Sequence, residues 1–294
     1  MLQSKVILYP KSAEISYKVA LLKYVYFIEK NINNVLLPIL KNMPDTFNKD
    51  NLYEIRCDDF LEELEIAFQE IRDLIAPYRG LLIGDLPVRF AKLVGFTTKE
   101  IIASMQGIIT VTYGNQQPGV INTTPVDLGV NIFNNSLRPS LKELVRASTL
   151  TNSKLIKSIE TNLLDQVAII IEQGYTSGTS AKVLAKQIKE RFGVTENRAK
   201  LIARDQIGKI HSDVVRDENL NLGLDKYIWF TSGDERVRTS HKVMNMKICS
   251  WYDPTIYKDS IEDKEWKKRS SIGGVELHPG QDYQCRCNEK AIFE

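Results

Sequence analysis

Between Trp229 and Cys287 the chain gathers all three of its tryptophans, two of its three histidines and three of its four cysteines. No other feature constrains the fold as strongly. The stretch is short, polar and rich in turn-forming residues, so apolar burial alone gives it little to hold a shape with. Two runs stand out, Asp234-Glu235-Arg236-Val237-Arg238-Thr239-Ser240-His241 and His278-Pro279-Gly280-Gln281-Asp282-Tyr283-Gln284-Cys285-Arg286-Cys287. His241, His278, Cys285 and Cys287 carry soft or borderline donor atoms, and four is the number that a closed tetrahedral zinc site needs. One structural zinc ion on these four side chains is the expectation.

A strand over Cys285 to Ile292 would turn both cysteines to one face and Arg286 to the other, because side chains alternate along a strand. A disulfide between residues two apart would close a small, strained ring. Cys-x-Cys is a weak signal by itself, since free cysteines are commonly just small buried hydrophobes. Cys249 is a spare ligand for either histidine, and Cys57 reads as a core residue. Asp234, Glu235 and Asp282 could join His241 in a hydrolytic metal site, although charged turns of this kind are usually solvated loops. His211, beside Arg204, Asp205 and Lys209, reads as a solvated or partly buried helix histidine. No Ser-His-Asp set, phosphate-binding glycine loop or metalloprotease helix motif occurs.

Length and composition bound the remainder. The 294 residues suffice for one large or two ordinary domains. A hydrophobic share of 43% with 26% charged residues excludes a disordered or fibrous chain. A net charge of +2 excludes a histone-like condenser of nucleic acid. The cysteines form no regular framework, which suits a reducing compartment. The N-terminus lacks the apolar core of a signal peptide, and no stretch approaches the roughly 18 apolar residues of a membrane span. A protein made in a cytoplasm, with no membrane partner, is expected.

The N-terminal third reads as helix. Apolar residues recur at Ile15, Val19, Leu22, Val25, Ile28, Ile32, Val35, Leu36 and Ile39. Pro38 should kink or end that helix. A second helix is predicted from about Asp58 to Ala76, and a weaker set between Val88 and Ile109 after Pro87. Tyr113 to Pro139, with its scattered Gly and Pro, reads as extended chain. Helix returns from Lys154 to Gln173 and from Ser180 to Phe192, where Gly193 should end it. Thr195 reads as the N-cap of a further helix to Asn221, stopped by Gly223. Tyr227 to Thr231 is a predicted strand, and Ser240 to Met244 a short helix.

These elements give a mainly α protein with a smaller α+β C-terminal domain that holds a small antiparallel sheet. The boundaries expected are a helical domain over 1–112, an extended linker over 113–150 and a C-terminal domain over 151–294. Between Arg138 and Gly223 there is a modest basic excess. Lys182, Lys186 and Lys189, spaced by four and three, can share one helix face and meet phosphates; an ordinary solvated face is the competing reading.

Taken together, certain blocks resemble the Mu F-like minor head proteins, the head-morphogenesis family of tailed bacteriophages. They are Ala203-Arg204-Asp205-Gln206, then Tyr227-Ile228-Trp229 leading through Ser232-Gly233 to the Asp234–His241 run. Asn245-x-Lys247, Trp251, His278-Pro279-Gly280 and Cys285-Arg286-Cys287 complete the pattern. The order and spacing are specific, no single block is, and the likeness covers about Leu155 to Ile292. Three departures stand in it. Met246 occupies a turn position where the family often has Gly, Cys249 one where an apolar or aromatic residue is usual, and Asp205-Gln206 a pair that is often Thr-Glu.

The resemblance implies a low-copy, non-enzymatic head component, incorporated during procapsid assembly and located at the portal vertex or in the head interior after assembly in the host cytoplasm. It implies the portal protein as partner, with the major capsid or scaffolding protein and double-stranded DNA as further contacts. A metal-dependent nuclease built on His241 and an acid such as Asp234 is the first alternative. A DNA-binding module using the basic helices of residues 180–220 is the second.

Overall fold

The computed structural model describes residues 2–43, 53–105 and 137–293. Their elements run in chain order as β1 (Leu2–Gln3), α1 (Lys11–Lys41), α2 (Tyr53–Met105), α3 (Pro139–Thr176), α4 (Ala181–Asn221), β2 (Lys226–Phe230), α5 (Thr239–Lys242), β3 (Ile248–Ser250), β4 (Ile256–Lys258), β5 (Lys267–Lys268), a 3-10 turn (Arg269–Ile272) and β6 (Asn288–Phe293). The fold is mainly α with a small antiparallel sheet near the C-terminus.

The helices are longer than local signals predict. One helix, α2, replaces the two expected on either side of Pro87. Its buried stripe of Ile71, Ile75, Leu82, Leu86, Phe90 and Val94 continues past Pro77 and Pro87, both of which lie on the exposed side. A proline inside a helix costs about 3 kcal/mol, and burying each large apolar side chain returns about 1.5–3 kcal/mol, so the stripe wins. In α1 the helix likewise passes Pro38 and ends at Lys41. The α4 helix runs through Gly193 because Thr195 does not cap. Its hydroxyl donates instead to the Arg191 carbonyl one turn back, at 3.2 Å. The α3 helix begins at Pro139, where a first-turn proline loses no hydrogen bond.

The chain divides into two compact units. One unit comprises 1–14, 87–148 and 204–294, the other 15–86 and 149–203. Most of the expected linker, residues 113–136, lies outside the described residues, and Pro139 to Leu150 is helical.

The helical unit, 15–86 with 149–203, is built on an apolar stripe of α1 that includes Leu21, Val25, Ile28 and Ile32. It also buries a polar cluster. Tyr24 donates to Glu160 at 2.6 Å, and Arg79 reaches the same carboxylate with both contacts under 2.8 Å.

The second unit holds the sheet, in the order β1-β6-β2-β3-β4-β5. Every pairing is antiparallel; Trp229 lies opposite Glu289 and Tyr227 opposite both Ala291 and Cys249. Tyr227, Trp229, Cys249, Trp251 and Tyr257 are buried in one core cluster with Met244, Val215 and Ile101. Arg269, fully buried, donates to the carbonyls of Ile256, Val275 and Leu277 and to the Tyr227 hydroxyl. A guanidinium thus does for the loops what apolar side chains cannot, by satisfying their backbone oxygens. At the end of α4, Gly223 adopts φ +75 and terminates the helix as predicted.

Candidate metal centre

The C-terminal strand starts at Asn288, not at Cys285, so the two cysteines lie in the loop that enters β6. They meet through the shape of that loop and not through strand alternation. Gly280 has φ +83 and Gln284 has φ +53. The first reverses the chain after His278-Pro279, and the second brings it round immediately before Cys285. Three bonds hold the loop to α4: Ser212 donates to the Pro279 carbonyl, Gln281 to Asp213, and the Gln284 N–H to Asp205.

His241, on α5, completes the cluster. Its Nδ1 lies 3.3 Å from the Cys287 Sγ and 3.6 Å from the Cys285 Sγ. Nε2 lies 2.9 Å from a carboxylate oxygen of Asp282. One donor atom from each of His241, Cys285 and Cys287 falls within 4.8 Å of the others. His241 and Cys287 are buried and Cys285 is half-buried.

The electrostatics favour a thiolate here. The Cys285 thiol is lowered, first by a hydrogen bond from Cys287, then by His241 and the backbone N–H groups of Cys287 and Gly280. The Cys287 thiol, donating to its neighbour and buried, moves upward. Of two thiols that face each other, one ionises and the other supplies the proton. His241 is raised, chiefly by its bond to Cys285 and then by Asp282. The indole Nε1 of Trp229 is buried without a regular acceptor, and it acts on the Cys287 sulfur in the direction that favours a thiolate. A metal-bound thiolate would give that orphaned donor an acceptor.

The donor set therefore fits a zinc ion. Two sulfurs converge on one imidazole nitrogen, and the other nitrogen is oriented by a carboxylate, the arrangement that fixes a ligating histidine. The line Asp282–His241–Cys285 is also the geometry of an activated thiolate. The second sulfur, closer to Nδ1 than the first, favours the metal.

His278 is not part of this cluster. Its Nδ1 pairs with the Tyr227 hydroxyl at 3.0 Å, and its ring lies 5.0 Å from that of Trp251. Burial, with the charges of Arg216 and Arg269, lowers it to about 3, so it is a neutral core residue. The Pro279-Gly280 turn places 278 in the aromatic core and 285 at its rim. Cys249 is no spare ligand either: it is fully buried and pushed up to about 11 by burial. Asp234 is clamped by Arg286 through both carboxylate oxygens and does not meet His241. His211 is buried rather than solvated, with Thr97 at 3.1 Å and burial lowering it to about 4. The side chain of Cys57 lies outside the described residues.

Lys182, Lys186 and Lys189 are all exposed on α4, in the helical unit. Lys189 acts on Glu29 as a neighbouring positive charge. Two residues that position this cluster show only part of their role in the sequence. Asp282 was one of three interchangeable acids, and Asp205 was a departure with no assigned role.

The segment that builds this knot, residues 165–289, matches the family described as Phage Mu protein F like protein. Over this segment the chain is similar to the Phage Mu protein F like family. The match includes His241, Asp282, Cys285 and Cys287, and lies inside the Leu155 to Ile292 span expected from the sequence. An uncharacterized protein of Haemophilus influenzae (strain ATCC 51907 / DSM 11121 / KW20 / Rd) is 36% identical over 173 residues, which are 59% of this chain and 34% of that protein. The chain thus spans about a third of the length of that relative. No solved structure matches it. The Mu F-like segment takes in the end of α3, all of α4, β2 to β5 and only the start of β6, and leaves α1, α2 and β1 outside.

Proposed function

We propose that this chain is a head-morphogenesis protein of a tailed bacteriophage or prophage, a non-enzymatic component that acts at the portal vertex or inside the head. The observation that carries the reading is the family match over 165–289, which coincides with a module knotted at His241, Cys285 and Cys287. In this reading one zinc ion on those three side chains holds the module in shape, and the long amphipathic helices outside it offer surface to the portal protein, or to the major capsid or scaffolding protein. The commitment of Asp234 to Arg286 weighs against the nuclease alternative, which would use that acid at the ion.

Inactivating the gene in the phage or prophage that carries it, and counting particles by electron microscopy, tests the role. Loss of DNA-filled heads, restored by the wild-type gene in trans, is expected. Normal, infectious particles in normal number would sink the reading. A contact with double-stranded DNA through Lys182, Lys186 and Lys189 belongs to the same proposal. It is checked by duplex affinity that falls steeply with salt and weakens when the three are replaced by Gln.

A further inference from the structure

His241, Cys285 and Cys287 supply three ligands, and zinc is ordinarily four-coordinate. Among the described residues no fourth protein donor joins them. His278 is engaged with Tyr227, Asp282 with the opposite nitrogen of His241, Asp234 with Arg286, and Cys249 is sealed in the sheet core. All three ligand side chains line one cleft of about 200 Å³. Its other walls include Arg204, Arg236, Arg238 and Arg286, and no carboxylate lines it. Two thiolates neutralise a divalent ion, so the arginines set the charge of the cleft.

Among the described residues two carboxylates pair with those four guanidiniums. Asp282 pairs with Arg238 at 3.0 Å and Asp234 with Arg286 at 2.6 Å. Arg236 reaches Asp234 only at 3.9 Å, and no carboxylate lies within ion-pair distance of Arg204 among the described residues. Arginine's planar fork suits a tetrahedral oxyanion, to which it donates in pairs.

We infer that the zinc ion held by His241, Cys285 and Cys287 keeps its fourth position open to this cleft, and that a phosphate group binds there, one oxygen on the metal and the others on Arg204 and Arg236. The inference rests on the metal reading above. The phosphate is either free inorganic phosphate or a phosphodiester of nucleic acid, and the coordination chemistry is the same for both.

Cobalt(II) loaded into the full-length chain separates the two levels. A near-ultraviolet thiolate-to-cobalt band that disappears in Cys285→Ser/Cys287→Ser establishes the metal. Millimolar inorganic phosphate should then shift the visible d–d bands saturably. In Arg204→Gln/Arg236→Gln the near-ultraviolet band should persist while phosphate affinity falls at least tenfold. A shift with inorganic phosphate alone assigns free phosphate; a shift also with a short DNA duplex assigns a phosphodiester. Normal cobalt binding with d–d bands insensitive to both would overturn the inference and leave the metal reading standing. Absence of any thiolate-to-cobalt band in folded protein would remove the metal reading itself, and this inference with it.

Discussion

Asp205 accepts the backbone N–H of Gln284 at 2.9 Å, a bond between α4 and the residue that immediately precedes Cys285. Gln284 sits in the left-handed region at φ +53, where a side-chain-bearing residue is strained by about 1–2 kcal/mol. The carboxylate offsets that strain at the point where the loop must turn the cysteine toward His241. Asp205, itself only 9% exposed, also receives Lys209 at 2.8 Å.

Replacing Asp205 by Ala should therefore loosen the loop. A lost hydrogen bond to a charged acceptor is worth about 1.5–3 kcal/mol, and urea unfolding should read a loss of that order. The Cys285 thiol should also become more accessible to a thiol reagent. Unchanged stability with unchanged labelling would show that the loop holds itself.

Gly280 cannot carry a side chain. It lies at φ +83, and a Cβ there would come 2.8 Å from the Cβ of Ser212. Gly280→Ala should destabilise the sheet unit by about 2 kcal/mol or more. Its backbone N–H also donates to the Cys285 sulfur at 3.4 Å, so metal uptake should weaken in the variant. A thermal melt with and without zinc measures both effects.

Met246 offers the converse case. It adopts φ +65 in the turn between Asn245 and Lys247, with 55% of its surface exposed. Glycine, the residue the resemblance expects there, relieves the left-handed strain but gives the unfolded chain more freedom. Met246→Gly should change stability by a net gain of up to about 1 kcal/mol. A fall in the denaturation midpoint would contradict the strain argument.

Acid should destabilise the sheet unit through its buried histidines. Burial lowers His211 to about 4, from an ordinary value of 6.5. Above pH 6.5 the imidazole is neutral folded or unfolded, and its full contribution is present. Between pH 6.5 and 4 the unfolded chain takes up a proton that the folded one refuses, so stability falls as pH falls. Glu289, raised to about 8 by burial and by the nearby Cys285, acts in the opposite sense, losing stability as pH rises from its ordinary 4.5. The difference between wild type and His211→Gln isolates the histidine: the variant should show a shallower decline from pH 6.5 to 4.

In the helical unit, Arg79 is the cation beside a Glu160 side chain only 7% exposed. Arg79→Ala leaves that carboxylate buried and uncompensated, at a cost of about 3 kcal/mol. Glu160→Gln in the same background should recover part of it, because a neutral amide needs no cation. A double-mutant cycle by denaturant titration checks the recovery.

How far the sequence could be read depends on what each signal measures. Period-3.6 stripes such as Val25-Ile28-Ile32 mark helices reliably, because burial of the stripe is what stabilises them. Punctuation signals did worse. Pro87, Gly193 and Thr195 report local cost, and in α2 and α4 a continuous buried stripe exceeds that cost. The cluster of His241, Cys285 and Cys287 was legible as residue types, since these are chemically distinct from their surroundings. His278 carries the same chemistry and belongs instead to the aromatic core, a distinction set by tertiary packing against Tyr227 and Trp251. Asp205 and the four arginines stand in the blocks that carry the resemblance, but nothing local shows that they meet, because α4 and the loops of residues 232–241 and 278–287 come together only in the fold.

The edge-on contact between Trp229 and His241, with ring centroids 5.8 Å apart, makes the knot visible to light. A charged imidazole or a bare thiolate beside an indole drains its excited state, and an ion taking up those electron pairs changes that drain. Trp251 lies against the neutral ring of His278 in the same core. A metal ion bound as proposed at His241, Cys285 and Cys287 would therefore change the tryptophan emission of the unlabelled protein.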